Sequence, residues 1–432
     1  MRVISILFIL WGITGLARAQ NPIVPGYFAD PSIRYIDGKF YMSVTTDGYE
    51  DRNGEPFVWV SDDMVNWDIK YLNINDRFFW APSMIKGKNG KYYMVHQNGV
   101  DYLAYLMESD HPLGPWKETL QIKDFDVELF EDPQTGQILG IGSWKNILYF
   151  DNDPASADYM RRIVKREPLE GSFTDFTEGP CIFRKDSRYY LVWAGGQCWL
   201  DTYNIRYAIA ASPAKTYVEP TKKPLLSTTP ERGLFGPGHS SVIEVNKRWF
   251  LFYHRQDVLR SPTCNYRFAC AAELFFDADG NISKVDTLDN FNFLEKKPQY
   301  RNLALNKRAF TNSEATPHRA SYATDGRNDT RWQAELGEDK WITVDLGKTE
   351  KIDKVQVDFE YFDKYYLYKI EHSEDGVTWQ TYADYTSRAL KAYETRVSEK
   401  EVHTRYVRIK VLRAEVKTAP ASVWEIKILS KI

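Results

Sequence analysis

The chain has 432 residues, longer than one ordinary hydrophobic core supports, so two domains are the starting expectation. Its 56 basic and 59 acidic residues nearly cancel, to a net charge of −3, and they are spread along the chain. That balance excludes the basic footprint of a nucleic-acid binder and the acidic tail of a disordered arm.

In chain order, residues 1–19 read as a signal peptide. Arg2 precedes an apolar stretch from Ile4 to Ile13, and Ala17-Arg18-Ala19 is a small-x-small cleavage site. The stretch falls short of the ~20 residues a membrane span needs, and no later segment is apolar enough to cross a bilayer. Gln20 follows the site where a lipid anchor would need cysteine. The expectation is an exported protein, periplasmic or extracellular. Export permits disulfides, and four cysteines remain: Cys181, Cys198, Cys264 and Cys270. Cys181–Cys198 and Cys264–Cys270 are the local pairings, free buried thiols are the alternative, and the spacing does not suit zinc.

One pattern then recurs five times: a polar or small residue near Pro or Gly, an apolar strand, a turn, and a strand rich in Tyr or Trp. The copies open at Asp30, Ala81, Asp126, Glu178 and His239. Their spacing of roughly 45–60 residues is that of a four-stranded propeller blade. Alternating hydrophobicity with short Gly or Asp turns supports hairpins within each copy. An all-β, five-bladed propeller closing on itself is therefore expected over residues 20–298. In such a ring the first strand of each blade lines the axis, so Asp30, Asp126 and Glu178 are expected to converge in phase on one pocket. Aromatics, at 15% of the chain, suit strands and also offer flat faces to sugar rings.

Convergent carboxylates suit hydrolysis of a glycosidic bond. One group protonates the leaving oxygen and another activates water; a wide separation leaves room for that water and gives inversion. A third carboxylate raises the acid's pKa by like-charge repulsion.

The segment from Asn21 to Ile33 resembles the opening of family 43 glycoside hydrolases. So do Ser61-Asp62-Asp63-Met64-Val65-Asn66-Trp67, Phe79-Trp80-Ala81-Pro82-Ser83, Pro112-Leu113-Gly114-Pro115-Trp116, Glu178-Gly179-Pro180 and Gly238-His239-Ser240-Ser241. The resemblance spans about residues 21–295 and implies Asp30 as general base, Glu178 as general acid and Asp126 as the group that tunes the acid and orients substrate. At Asp126 this chain departs from the family, with Val127 where Pro is usual, and Asp124 and Glu128 stand close by. By the same resemblance His239 is the axial histidine, beside a cation or water or simply satisfied in the core. Arg267 contacts substrate near the base, and Trp80 forms a stacking wall or belongs to the core. No organic cofactor is implied. The resemblance most often means α-L-arabinofuranosidase or β-xylosidase activity on plant-type polysaccharides or oligosaccharides, with galactose-releasing relatives on the same scaffold. A non-catalytic sugar-binding propeller is the rival; a sialidase-like propeller lacks support, since no arginine triad or Asp-box repeat is present.

Beyond Lys296 the pattern changes. Asn302-Leu303-Ala304-Leu305-Asn306-Lys307, the run from Ala323 to Trp332, Trp341-Ile342-Thr343-Val344-Asp345-Leu346-Gly347, Ser373 to Trp379, Arg405 to Ile409 and Trp424-Glu425-Ile426 resemble a discoidin-like (coagulation factor 5/8 C-type) module. That implies a β-sandwich (jelly roll) over residues 299–432. It also implies a structural Ca2+ whose ligands include Asp325, Asn328, Thr330 and Glu425; a simple Asp-Gly turn is the alternative. The module either binds sugar, with His318 and Arg319 in a suitable loop, or buttresses the propeller. The oligomeric state is not legible.

Overall fold

The computed structural model describes residues 21–49, 54–74, 78–257, 264–287 and 298–432. The expected signal peptide lies outside the described residues. Among those described, five four-stranded antiparallel sheets follow one another in sequence. Their inner strands are Phe28–Ile36, Trp80–Lys86, Glu128–Glu131, Phe176–Lys185 and Gly238–Val245. Each packs against the inner strand of the next blade, the fifth against the first, and the ring closes as a five-bladed propeller. The hairpins follow from local chemistry: Asp37 and Gly38, at φ 50° and 82°, form the left-handed pair that a tight two-residue turn requires. The N-terminal segment seals the ring. Asn21 exchanges two 2.8 Å hydrogen bonds with the Ala271 backbone, and the Ile23 amide donates to the Ala269 carbonyl at 2.9 Å.

The repeats share a backbone device that corrects the expected phase. Each inner strand enters through one left-handed residue: Asp30 (51°), Ala81 (42°), Asp126 (45°), Gly179 (59°) and His239 (38°). In blade four that residue is Gly179, so Glu178 stands one position earlier, in phase with Ala29, Trp80, Phe125 and Gly238. Crowding explains the glycine: a Cβ on Gly179 would lie 2.7 Å from His239 Cγ. Non-glycine residues in this region cost roughly 1–2 kcal/mol each, strain that clusters at functional sites.

The C-terminal unit is an eight-stranded antiparallel sheet folded into a sandwich. Its long strands, Lys340–Phe359 and Val397–Ala414, pair with each other on both sides of an irregularity at Asp345–Glu350. Trp332, Ile342, Val344, Val357, Tyr368 and Ile426 fill its core.

The sandwich and propeller share apolar clusters. Phe362 packs edge-on to Trp59 (5.6 Å between ring centres) among Ile23, Val24 and Phe28. Trp424, fully buried, packs edge-on to Tyr27 at 5.1 Å and to Phe268 at 5.7 Å. Polar links reinforce these: Arg396 donates to the Trp67 carbonyl at 2.9 Å, Arg255 pairs with Asp329 at 2.7 Å, and Asn328 donates to the Pro22 carbonyl at 2.8 Å.

Neither local cysteine pairing forms. Cys198 is bonded to Cys264, 66 residues away, while Cys181 and Cys270, on the first strand of blade four and the third of blade five, are buried and outside any disulfide. The ring brings together two rim loops that sequence separates, and sequence proximity carries no information about that. Closing a loop of this length restricts the unfolded chain by about 4 kcal/mol in the chain-entropy account.

Candidate active site

Asp30, Asp126 and His239 sit at the kinks of three inner strands, and the kinks turn them toward one another. His239 Nδ1 lies 3.4 Å from Asp30 Oδ1 and 3.6 Å from Asp126 Oδ2. Asp30 is 6% exposed and fully engaged: Thr45 Oγ1 donates to Oδ2 at 2.6 Å, and Arg267 Nη1 donates to Oδ1 at 3.0 Å. His254 Nδ1 lies 3.0 Å from Oδ1 and accepts from the Asp30 amide at 3.2 Å. Burial alone would raise the Asp30 pKa, but Arg267, His239 and His254 outweigh it and hold the carboxyl well below the usual range. Burial lowers His254 to about 4 against the pull of Asp30, so its imidazole is neutral at neutral pH.

Asp126 is equally buried and behaves in the opposite way. Burial, then the charges of Glu178 and Asp30, push its pKa well above the carboxylate norm. Its amide donates to Gln97 Oε1 at 3.2 Å. The two neighbours in sequence have other duties. Asp124 accepts from Phe125 N, Trp144 N and Asn146 Nδ2 at 2.8–3.1 Å, holding a loop; Glu128 pairs with Arg34 and Ser32 further down the axis.

Glu178 is half-buried. Tyr203 donates to its Oε1 at 2.6 Å, and the neighbouring Gly179 amide donates to Ser143 Oγ at 3.1 Å. The Tyr203 ring stacks on His254 (5.9 Å, 13°), so acid-side and base-side partners support each other. Trp80 is half-buried at the rim, with its six-membered ring over Gly99 and Phe78 edge-on at 6.1 Å. The site thus gathers Asp30, Asp126, Glu178, His239 and Arg267, with the carboxyl pKa pushed down at Asp30 and up at Asp126. Such a set can take a proton from water and give one to a leaving oxygen.

Sequence reasoning missed Thr45, Asp47, Tyr203 and His254. A signal existed for two of them. Thr45, Gln97, Ala194 and His254 pair in register with Ala29, Trp80, Glu178 and Gly238, so they occupy one repeated position near the end of the second strand in four of the blades. A polar residue there, ending an apolar strand, faces the axis.

In the sandwich, Thr330 Oγ1 donates to both oxygens of Asp325 at 3.0 and 2.8 Å. Glu425 is 1% exposed and neither oxygen meets hydrogen-bond geometry with a partner. Burial raises its pKa well above normal; Lys427 opposes this, and the charges of Asp325 and Asp358 add to it. An orphaned buried carboxylate beside a second one is what a hard cation relieves, so these residues fit Ca2+. Asn328 differs: its amide nitrogen is spent on Pro22. Among the described residues no group of three or more His, Cys, Asp or Glu has a metal-binding arrangement, so backbone oxygens would complete the shell. Nor is any helix among them long and apolar enough to cross a membrane.

Comparison with known proteins gives the same outline. The profile of "Glycosyl hydrolases family 43" matches residues 19–282, and that of "F5/8 type C domain" matches residues 308–426. A solved structure described as "Glycoside hydrolase" superposes with a TM-score of 0.79 at 26% identity, covering 96% of this chain and all of the other. The chain is 23% identical over 313 residues to a "Beta-D-galactofuranosidase xynD" of Aspergillus niger, covering 63% of this chain and 86% of the relative. It is 26% identical over 333 residues to a "Xylosidase/arabinosidase" of Bacteroides ovatus, covering 62% and 98%. With the match to the first profile spanning more than half its length, the chain belongs to glycosyl hydrolase family 43, and it is a glycosidase.

Proposed function

We propose that this enzyme is an inverting, exo-acting glycosidase that removes terminal sugars from plant-type polysaccharides or oligosaccharides. Asp30 is the general base that deprotonates the attacking water. Glu178 is the general acid that protonates the departing oxygen. Asp126, whose pKa burial and its acidic neighbours raise, orients substrate beside the acid. Arg267 and Trp80 hold the terminal sugar. The Nδ1 of His239 is turned to the two carboxylates, which leaves Nε2 for a water or a cation. The observation that carries the proposal is the convergence of Asp30, Asp126, His239 and Arg267 in one buried cluster, where the pKa is pushed down at Asp30 and up at Asp126. Binding alone has no use for two neighbouring carboxyls whose pKa values are pushed apart.

The substrate sugar is proposed as α-L-arabinofuranosyl or β-xylosyl. The Aspergillus niger relative, named for galactofuranose, keeps a galactose-releasing activity as the second reading. The enzyme is proposed to be exported through a leader at residues 1–19, consistent with a disulfide between Cys198 and Cys264. The domains are proposed as residues 20–298 and 299–432, the second bearing a structural Ca2+ held by Asp325, Thr330 and Glu425 with Asn328 alongside.

A panel of arabino-, xylo- and galacto-configured chromogenic glycosides tests the proposal. Turnover of one of them, abolished by Asp30→Ala without unfolding, is the expected result. Binding of sugars with no turnover of any would leave a lectin-like propeller instead.

A further inference from the structure

We propose that Asp47 is a positioning residue for the general base, holding the Arg267 guanidinium in the one orientation that turns an N–H onto Asp30. The inference rests on Asp30 being that base.

The geometry is a fixed bridge between two carboxylates. Asp47 Oδ1 accepts from Arg267 Nη2 at 2.9 Å, and Oδ2 accepts from Nε at 3.1 Å and from the Arg267 amide at 2.9 Å. One face of the guanidinium fork is thereby consumed, and Nη1 is left to reach Asp30 Oδ1 at 3.0 Å. A planar fork gripped along one edge cannot rotate about its stem, which is the property that separates arginine from lysine at such a site.

Asp47 is itself buried and tied down. Its side chain is 2% exposed, and its amide donates to the Tyr27 carbonyl at 3.1 Å. Tyr27 in turn is wedged among Tyr266, Phe268 and Trp424 of the sandwich, with its hydroxyl donating to Asp257 at 3.0 Å. On the far side, Asp30 is faced by Arg267, His239, His254 and Thr45, with Asp126 across His239. Arg267 is the largest of the influences that lower the Asp30 pKa, ahead of His239 and His254. Where the Arg267 charge sits therefore weighs most on how strongly Asp30 binds a proton. With Asp47 in place the cation is shared between two anions. Without it the fork is free to settle fully on Asp30 or to swing off it, and either movement spoils the base.

The test is a double-mutant cycle on kcat, with the panel substrate that the wild type turns over. Asp47→Asn is expected to lower kcat by roughly 100-fold, the cost of about 1 Å of misplacement at a reacting group. In an Arg267→Met background, where nothing remains to position, the same substitution is expected to change kcat less than about twofold. Equal losses in both backgrounds would mark Asp47 as a general structural residue and overturn the inference, as would an unchanged kcat in Asp47→Asn. Should Asp47→Asn not fold, Arg267→Lys serves. It keeps the charge but loses the fork, and the inference predicts the activity of Arg267→Met, not that of the wild type. Asp30→Ala, run alongside, separates the two levels. Retained turnover there refutes the base assignment itself, whereas a dead Asp30→Ala with an additive cycle refutes only the role of Asp47.

Discussion

Replacing Trp424 by alanine tests whether the sandwich is a working part of the catalytic unit. The side chain is fully buried, its indole nitrogen donates to the Glu360 carbonyl at 3.3 Å, and its ring packs edge-on with Tyr27 and Phe268 and lies under the Arg331 guanidinium. A buried tryptophan hides about 200 Å². At about 25 cal/mol per Å² that is about 5 kcal/mol, the upper end of what Trp→Ala substitutions cost in cores. Loss of the cation–π contact to Arg331 adds about 1 kcal/mol. Against a total stability of roughly 5–15 kcal/mol, this is a large fraction. Urea unfolding followed by far-ultraviolet circular dichroism is the assay, with activity measured across the same titration. The expected result is a much lower midpoint, with activity and structure lost together, because Trp424 belongs to the apolar cluster of blades four and five. A loss under about 1 kcal/mol would refute the reasoning. So would an early transition that spares activity, since the sandwich would then be an independent passenger.

Glu178→Ala is expected to cut turnover of substrates with poor leaving groups by roughly 100- to 10,000-fold, and to spare those with very good ones; a rate–leaving-group plot checks this. Asp126→Asn should alter how stability depends on pH. Its folded pKa is raised, so the native state holds a proton that the unfolded chain gives up, and stability contributed by Asp126 is lost as pH rises through the folded value. The Asn variant should lack that slope, and melting temperatures from mild acid to neutrality, compared with the wild type, measure it. Chelation of calcium should lower the melting temperature of the wild type but hardly that of Glu425→Gln, which removes the orphaned charge the ion would satisfy.

The repeat was legible because each blade needs the same turn and the same alternation, so its pattern survives five times in the residues themselves. Asp30 and Asp126 were legible for the same reason: both occupy the left-handed entry position. Glu178 was found through the Glu-Gly-Pro motif but was misplaced by one residue, because sequence does not reveal that Gly179 takes the kink to clear His239. Tyr203, Asp47 and the Cys198–Cys264 bond escaped notice for another reason. Their partners are 25, 220 and 66 residues away, and their meeting is set by the tertiary fold, for Asp47 and Arg267 by the closing of blade five on blade one, and not by any local preference. The shared core of propeller and sandwich was equally hidden, since Phe362 and Trp424 read as ordinary strand residues until Trp59 and Tyr27 are seen against them.

The most direct measurement is proton NMR of the first sugar released from a substrate of known anomeric configuration. If a water held by Asp30 attacks while Glu178 protonates the opposite side, the earliest anomeric signal belongs to the inverted configuration, and the other anomer grows in only by mutarotation. A first-formed product with retained configuration would mean a covalent intermediate, and would contradict the roles given to both residues.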